Sequence, residues 1–296
     1  MVIYSNPPTV DPELVFLDTV STPNDDALED PFLQMLADTS DLVPVTQYST
    51  IFAGKELLTS SSGVLKAEFS GTMVNILLDG GASGCGGKVW PAGELLSRYM
   101  IDAKNDTESL AHQIVWEESK KRKIKIVELG SGTGLVGLAL GNACKGLDIE
   151  SGVDGGLDIV ISDQINMLRL MEDNIKLNSL VGIVSADVID WGKPLKEKYV
   201  EPLVDIILAA DCVYFEPAFP LLEQTLLDMT GNGTLVLMAY KKRRKADNKF
   251  FRSIKKSFRI EEIKNYGAYY GEFSRDSVFL YHLIRKQPRL SSLLAI

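Results

Sequence analysis

The sequence predicts a doubly wound α/β fold: a mostly parallel sheet with helices on both faces, preceded by a β-hairpin and an acidic arm. Three observations predict it. Apolar strand runs alternate with helical periods from residue 124 onward, a glycine-rich turn joins the first of these strands to its helix, and acidic residues stand at or just beyond the ends of three strands. The length, 296 residues at 45% hydrophobic and 24% charged, suits one large domain with additions.

The first element is the arm, expected over residues 1–60. Residues 1–54 hold nine acidic groups and no Lys or Arg, so the net charge of -9 lies there and the remainder balances at 31 acids against 31 bases. Such a segment reads as a flexible, solubilising extension. No apolar run reaches the length of a membrane span, and the start lacks a cationic region followed by an apolar one, so a soluble, unsecreted protein is expected. Cys85, Cys144 and Cys212 are odd in number and far apart, and with only two histidines in the chain neither a disulfide framework nor a metal site is expected.

Residues 61–120 are expected to form a hairpin and helices that pack on the main domain. VLKAEFSGTMVNILLDG alternates about Ser70-Gly71, the pattern of two strands and a tight turn. A glycine-dense loop, GGASGCGGKVW, follows, then a helix opened by Pro91 and a second helix from Thr107 to Glu118. The main domain spans 121–287, with a short tail at 288–296. Its strands are predicted in KIVEL, DIVIS, GIVSADVI, VDIILAA, TLVLMAY, RIEEIK and SVFLYHLIR, the last two antiparallel, with helices between them.

The first chemical motif is VELGSGTGLVGLAL, where Gly130, Ser131 and Gly132 turn from a buried strand into a helix at the carboxyl edge of the sheet. The glycines also match a dinucleotide fingerprint, and they could serve helix packing alone. Glu128 favours a third reading, because a carboxylate repels a pyrophosphate but attracts the cationic amino acid part of S-adenosylmethionine. Asp163 closes the strand DIVIS, where its side chain suits both hydroxyls of a ribose; capping the next helix is the plainer role. Its distance of 33 residues from Gly130 is long, and KGLDIESGVDGGLD accounts for it as a surface insertion.

The third motif, LAADCVYFEP, brings Ala210, Asp211 and Tyr214 to the same edge. At pH 7 only about four lysine side chains in ten thousand carry a free lone pair. A site that methylates lysine must strip and aim the amine, which a carboxylate and an aromatic wall do. Capping and core packing are the alternatives for Asp211 and Tyr214, and Cys212 reads as a buried filler. Trp90 and Trp191 lie in loops that could close over a ligand. The basic run Lys241 to Lys245 reads as a solvated loop, a docking strip for an acidic protein surface, or a contact for nucleic-acid phosphates.

Four blocks in order, GASGCGGKVWPAGELL, VELGSGTGLVGL, LAADCVYFEPAFPLLEQTLLDMT and MAYKKRRKAD, make residues 80–286 resemble the fungal translation elongation factor 1-alpha lysine methyltransferases of lysine methyltransferase family 16. The resemblance implies a Rossmann-like seven-strand class I methyltransferase sheet in a cytoplasmic enzyme that moves methyl groups from S-adenosylmethionine to a lysine of elongation factor 1-alpha. It implies cofactor contacts at Trp90, Gly130 to Gly132, Asp163, Trp191 and Ala210, and an Asp-x-x-Tyr substrate motif in Asp211 and Tyr214. Methylation of another protein or of nucleic acid, and a cofactor-binding chaperone-like module without catalysis, are the competing functions.

Overall fold

The computed structural model describes residues 63–79, 84–147, 149 and 151–287; the arm expected over 1–60 and the tail at 288–296 lie outside the described residues. A hairpin comes first, β1 (Val64–Phe69) and β2 (Thr72–Leu77), in antiparallel register across a Ser70-Gly71 turn whose residues both have positive φ. Helix α1 (Pro91–Asp102) carries Pro91 in its first turn, as the sequence predicts. The second expected helix is shorter and irregular, a turn at Leu110–His112 running into a π-helical turn at Gln113–Glu117.

The main sheet takes β3 (Lys123–Leu129), β4 (Gly156–Asp163), β5 (Val184–Val188), β6 (Ile206–Ala210), β7 (Leu235–Lys241), β8 (Phe258–Ile263) and β9 (Val278–Arg285) in the order β5-β4-β3-β6-β7-β9-β8. Strands β3 to β7 are parallel, and β9 pairs antiparallel with both β7 and β8. The expectation that the last two strands both run backwards is therefore corrected. β8 and β9 form an antiparallel pair, and β9 enters the gap beside β7, so only β9 opposes the rest.

Helices α2 (Leu135–Ala143), α3 (Leu168–Leu177), α4 (Phe219–Met229) and α5 (Asn248–Ile254) occupy the predicted connections, and a short α6 (Tyr270–Arg275) between β8 and β9 was not foreseen. Alternation along the strands sends Ile124, Ile126, Ile159, Ile161, Ile206 and Leu208 into one core with α1, α2, α3 and the hairpin. Val127, Leu129, Val160, Ile207 and Val236 point to the opposite face and are equally buried. The expected insertion occupies the connection between α2 and β4.

The hairpin is fixed to the domain by two amide side chains one turn apart, one in α3 and one at its C-cap. Asn174 accepts the Leu77 N–H at 2.6 Å and donates to the carbonyls of Leu77 and Thr133 at 3.2 and 3.0 Å. Asn178 accepts the Asn75 N–H and donates to the Asn75 carbonyl at 2.9 and 2.6 Å. The open edge of β2 is thus paired with side chains as a neighbouring strand would pair it.

Candidate active site

The strand order reverses between β3 and β6, and β3, β4 and β6 end level with one another: Leu129 pairs with Ser162 on one side and Ala209 on the other. Loops leaving a sheet at such a switch point form its ligand crevice. The loop after β3 is shaped by Gly130 and Gly132, both at positive φ, and its Gly132 N–H donates to Asp163 Oδ2 at 2.8 Å. A Cβ on Gly132 would lie 2.6 Å from the Gly86 carbonyl oxygen, so the GCGG turn lies directly against the motif. Trp191, buried, sits against Gly130 in the same way. Ser131 donates its N–H to the Ser162 carbonyl at 2.9 Å and its hydroxyl to Met171 sulfur at 3.1 Å.

Asp163 Oδ1 also accepts the Gln164 N–H at 2.8 Å. Each oxygen keeps a further lone pair, so the carboxylate that shapes the glycine loop can still accept a diol. The alternative N-cap role falls away, since the turn that follows begins with Gln164 in the cap position. Desolvation raises the Asp163 pKa despite the two backbone donors. Ile165, two residues on, is an exposed apolar side chain that the sequence reading passed over.

Glu128 lies differently from its expected place. It is 2% exposed, and its Oε2 accepts the Gly137 N–H at 2.7 Å in the first turn of α2. Helix starts leave N–H groups without intrahelical partners, and the carboxyl answers that need. Burial pushes its pKa up to about 8 against the lowering effect of those N–H groups. A folded pKa above the ordinary 4.5 means that the folded state holds the proton more tightly. The associated stability is complete below about pH 4.5 and is lost as pH rises through about 8. Glu128→Gln should therefore gain stability relative to wild type as pH goes from 5 to 8, as measured by urea denaturation at each pH.

Asp211 follows β6 at positive φ and is buried. Its N–H donates to the Ala239 carbonyl at 2.9 Å, and Ala210, the last residue of β6, pairs with Ala239. Both carboxylate oxygens are taken by one guanidinium: Arg243 Nη1 and Nη2 lie 2.7 and 2.6 Å from Oδ1 and Oδ2. The guanidinium carbon stands 5.4 Å from the centroid of the Trp90 ring, at the N-cap of α1. Trp90 therefore meets the Asp211 side of the crevice. Tyr214 is half-buried in the loop after β6.

Arg243, read in the sequence only as part of the basic run, and Asp247, not read there at all, are what the structure adds at this edge. Asp247, buried after the basic run, accepts the Tyr240 hydroxyl at 2.8 Å and the Arg243 and Arg244 N–H groups at 3.4 and 3.2 Å. The run is thus folded around a carboxylate: Arg243 and Arg244 turn inward, and Lys242 and Lys245 face solvent. The signal was the acid at the end of KKRRKAD.

Cys212 ties the parts together. Its thiol donates to the Leu129 carbonyl at 3.1 Å, and burial, then Asp163, Asp211 and Glu128 in turn, push its pKa well up. The thiol is inert filler, as expected. Carboxyl groups from three different loops or strands thus act on one point.

This donor set fits an adenosyl sulfonium: a rim carboxylate with lone pairs for a diol and a glycine loop with no room for a Cβ. Together with the strand order, it defines the S-adenosylmethionine-dependent class I methyltransferases. The sequence profile described as lysine methyltransferase matches residues 69–257, and the chain belongs to that family. It is a protein-lysine N-methyltransferase with S-adenosylmethionine as its donor. Protein-lysine N-methyltransferase EFM6 of Saccharomyces cerevisiae is 42% identical over 222 residues, 72% of this chain and 86% of that protein. Protein N-lysine methyltransferase METTL21A of Danio rerio is 30% identical over 47% of this chain and 59% of its own length. EEF1A lysine methyltransferase 3 of Mus musculus is 34% identical over 44% and 51% respectively.

Proposed function

We propose that this enzyme methylates a lysine of translation elongation factor 1-alpha in the cytoplasm, with Asp211 and Tyr214 receiving the amine. The carrying observation is the buried Asp211 carboxylate, whose arginine partner lies over the Trp90 ring, at the crevice that Gly130 to Gly132 and Asp163 also line. The name of the mouse relative supports the substrate. Among the described residues no helix is long and apolar enough to cross a membrane.

S-adenosylmethionine supplies an electrophilic methyl on a sulfonium when bound. Gly130, Ser131, Gly132 and Ala210 give it a backbone surface, Asp163 accepts the ribose hydroxyls, Ile165 offers the adenine an apolar face, and Trp191 backs the loop. Glu128 acts through α2, by fixing the helix start behind the glycines. Asp211 accepts an N–H of the lysine amine and so directs its lone pair, while Trp90 and Tyr214 exclude water from the amine.

Incubating the full chain with elongation factor 1-alpha and S-adenosylmethionine should add the mass of a methyl group to one lysine. Asp211→Ala should remove that increment, and cells lacking the enzyme should lose it from the same lysine. Modification of a different protein with elongation factor 1-alpha unchanged would overturn the substrate, and full activity in Asp211→Ala would overturn the site.

A further inference from the structure

The Asp211 to Arg243 pair raises a question of charge. If Asp211 stood alone, its negative charge would favour lysine as the ammonium ion, the form with no lone pair to donate. The structure does not leave it alone. Arg243 is 13% exposed and Asp211 5%, and the fork contacts both oxygens. The guanidinium also lies over Trp90, and its own backbone N–H is tied to the buried Asp247. The Lys241 N–H adds a third donor to Asp211 Oδ1 at 3.3 Å. Pulling such a buried pair apart is strongly unfavourable, because it leaves a buried charge uncompensated.

We propose that Arg243 is a resident cation of the substrate site: it stays on Asp211 through turnover, fixes the direction of the carboxylate, and makes the site accept lysine as the neutral amine. This rests on the reading of Asp211 as the amine's partner. With Arg243 in place the pair is neutral overall, and the remaining lone pair on Asp211 Oδ2 can accept an amine N–H. An ammonium would face the guanidinium at close range, and a like charge at that distance disfavours the charged form. The other charged groups nearby do not cancel this. Glu94 on α1 is paired with Arg98 at 2.8 Å, Lys241 is itself a cation, and burial raises the pKa of Glu128 and Asp163.

The bond changes then balance simply. The lysine ammonium leaves one proton in bulk water before it settles, and the amine lone pair forms the new N–C bond. The C–S bond breaks with its electron pair going to sulfur, and the methylated ammonium loses a proton to water afterwards. Arg243 touches neither the methyl group nor sulfur and is a positioning residue.

The test is the pH dependence of methyl transfer to elongation factor 1-alpha in wild type, Arg243→Met and Arg243→Lys. Arg243→Met should move the acidic limb of the kcat profile upward by about one pH unit, so that kcat is about tenfold low at pH 7 and recovers by pH 10. Its KM for the protein should not rise. Arg243→Lys, which keeps the charge without the fork, should leave the limb where wild type has it, although kcat is lower. A uniform loss at every pH would reduce Arg243 to a structural role, and faster turnover with an unshifted limb would mean that it is displaced; either result overturns the proposal. Full activity in Asp211→Asn would instead remove the reading beneath it. A second measurement is independent of turnover and of the protein substrate: calorimetry of n-butylamine binding at pH 7.5 with S-adenosylhomocysteine present, in buffers of different ionisation enthalpy. Wild type should release about one proton per amine, as an amine of pKa near 10.4 requires if it binds neutral, and Arg243→Met close to none. Equal release from both overturns the proposal.

Discussion

Gly132→Val is expected to weaken S-adenosylhomocysteine binding at least 100-fold, a loss of about 3 kcal/mol. Gly132 has φ of 55°, a left-handed conformation that costs a side chain about 1–2 kcal/mol. Its Cβ would also lie 2.6 Å from the Gly86 carbonyl oxygen, a backbone atom that cannot rotate aside. The GCGG turn or the motif must then move, and with the motif goes the N–H bond that Gly132 gives to Asp163. One methyl-bearing carbon thus disturbs two loops and the rim carboxylate together. Isothermal titration checks the affinity, and circular dichroism separates local damage from unfolding. Binding within threefold of wild type would show that these loops do not cradle the cofactor.

The second large effect concerns stability. Asn174→Leu should cost about 4 kcal/mol in urea denaturation, because Leu is close in size but leaves the N–H and carbonyl of Leu77 and the carbonyl of Thr133 without their partner. Each such buried group costs about 1–3 kcal/mol. Thr133 belongs to the glycine motif, so loosening the hairpin should also lower cofactor affinity. A cost under about 1 kcal/mol would mean that water replaces the amide and that the hairpin is not anchored there.

Much of this was legible in the sequence because period and turn chemistry are local properties. The strands, the Ser70-Gly71 hairpin and the glycine motif follow from side-chain alternation and positive φ, and all appear as read. The convergence of Glu128, Asp163 and Asp211 on Cys212 followed from their common position at strand ends. What was not legible depends on where a polar side chain turns. Nothing local distinguishes a carboxyl that meets a ligand from one that caps a helix, and Glu128 is the second kind. The run from Lys241 to Lys245 looks uniformly solvated until Asp247 is seen to draw its backbone inward, which delivers Arg243 to Asp211. Asn174 and Asn178 carry no local sign of their role, because the strand edge they serve lies 97 to 103 residues away. The insertion of β9 between β7 and β8, which leaves β8 parallel to the main strands, escaped for a related reason: a strand's apolar pattern does not show which neighbours it pairs with.

That strand carries a consequence for how the protein is made. Residues 278–285 end up with a hydrogen-bonded neighbour on each flank, β7 on one and β8 on the other. While synthesis has not yet delivered them, β7 presents bare amides and carbonyls beside the apolar side chains of Val236, Leu237 and Met238. The sheet cannot be completed without this strand, and chains cut short before Val278 should be captured by chaperones or aggregate instead of persisting as smaller working enzymes.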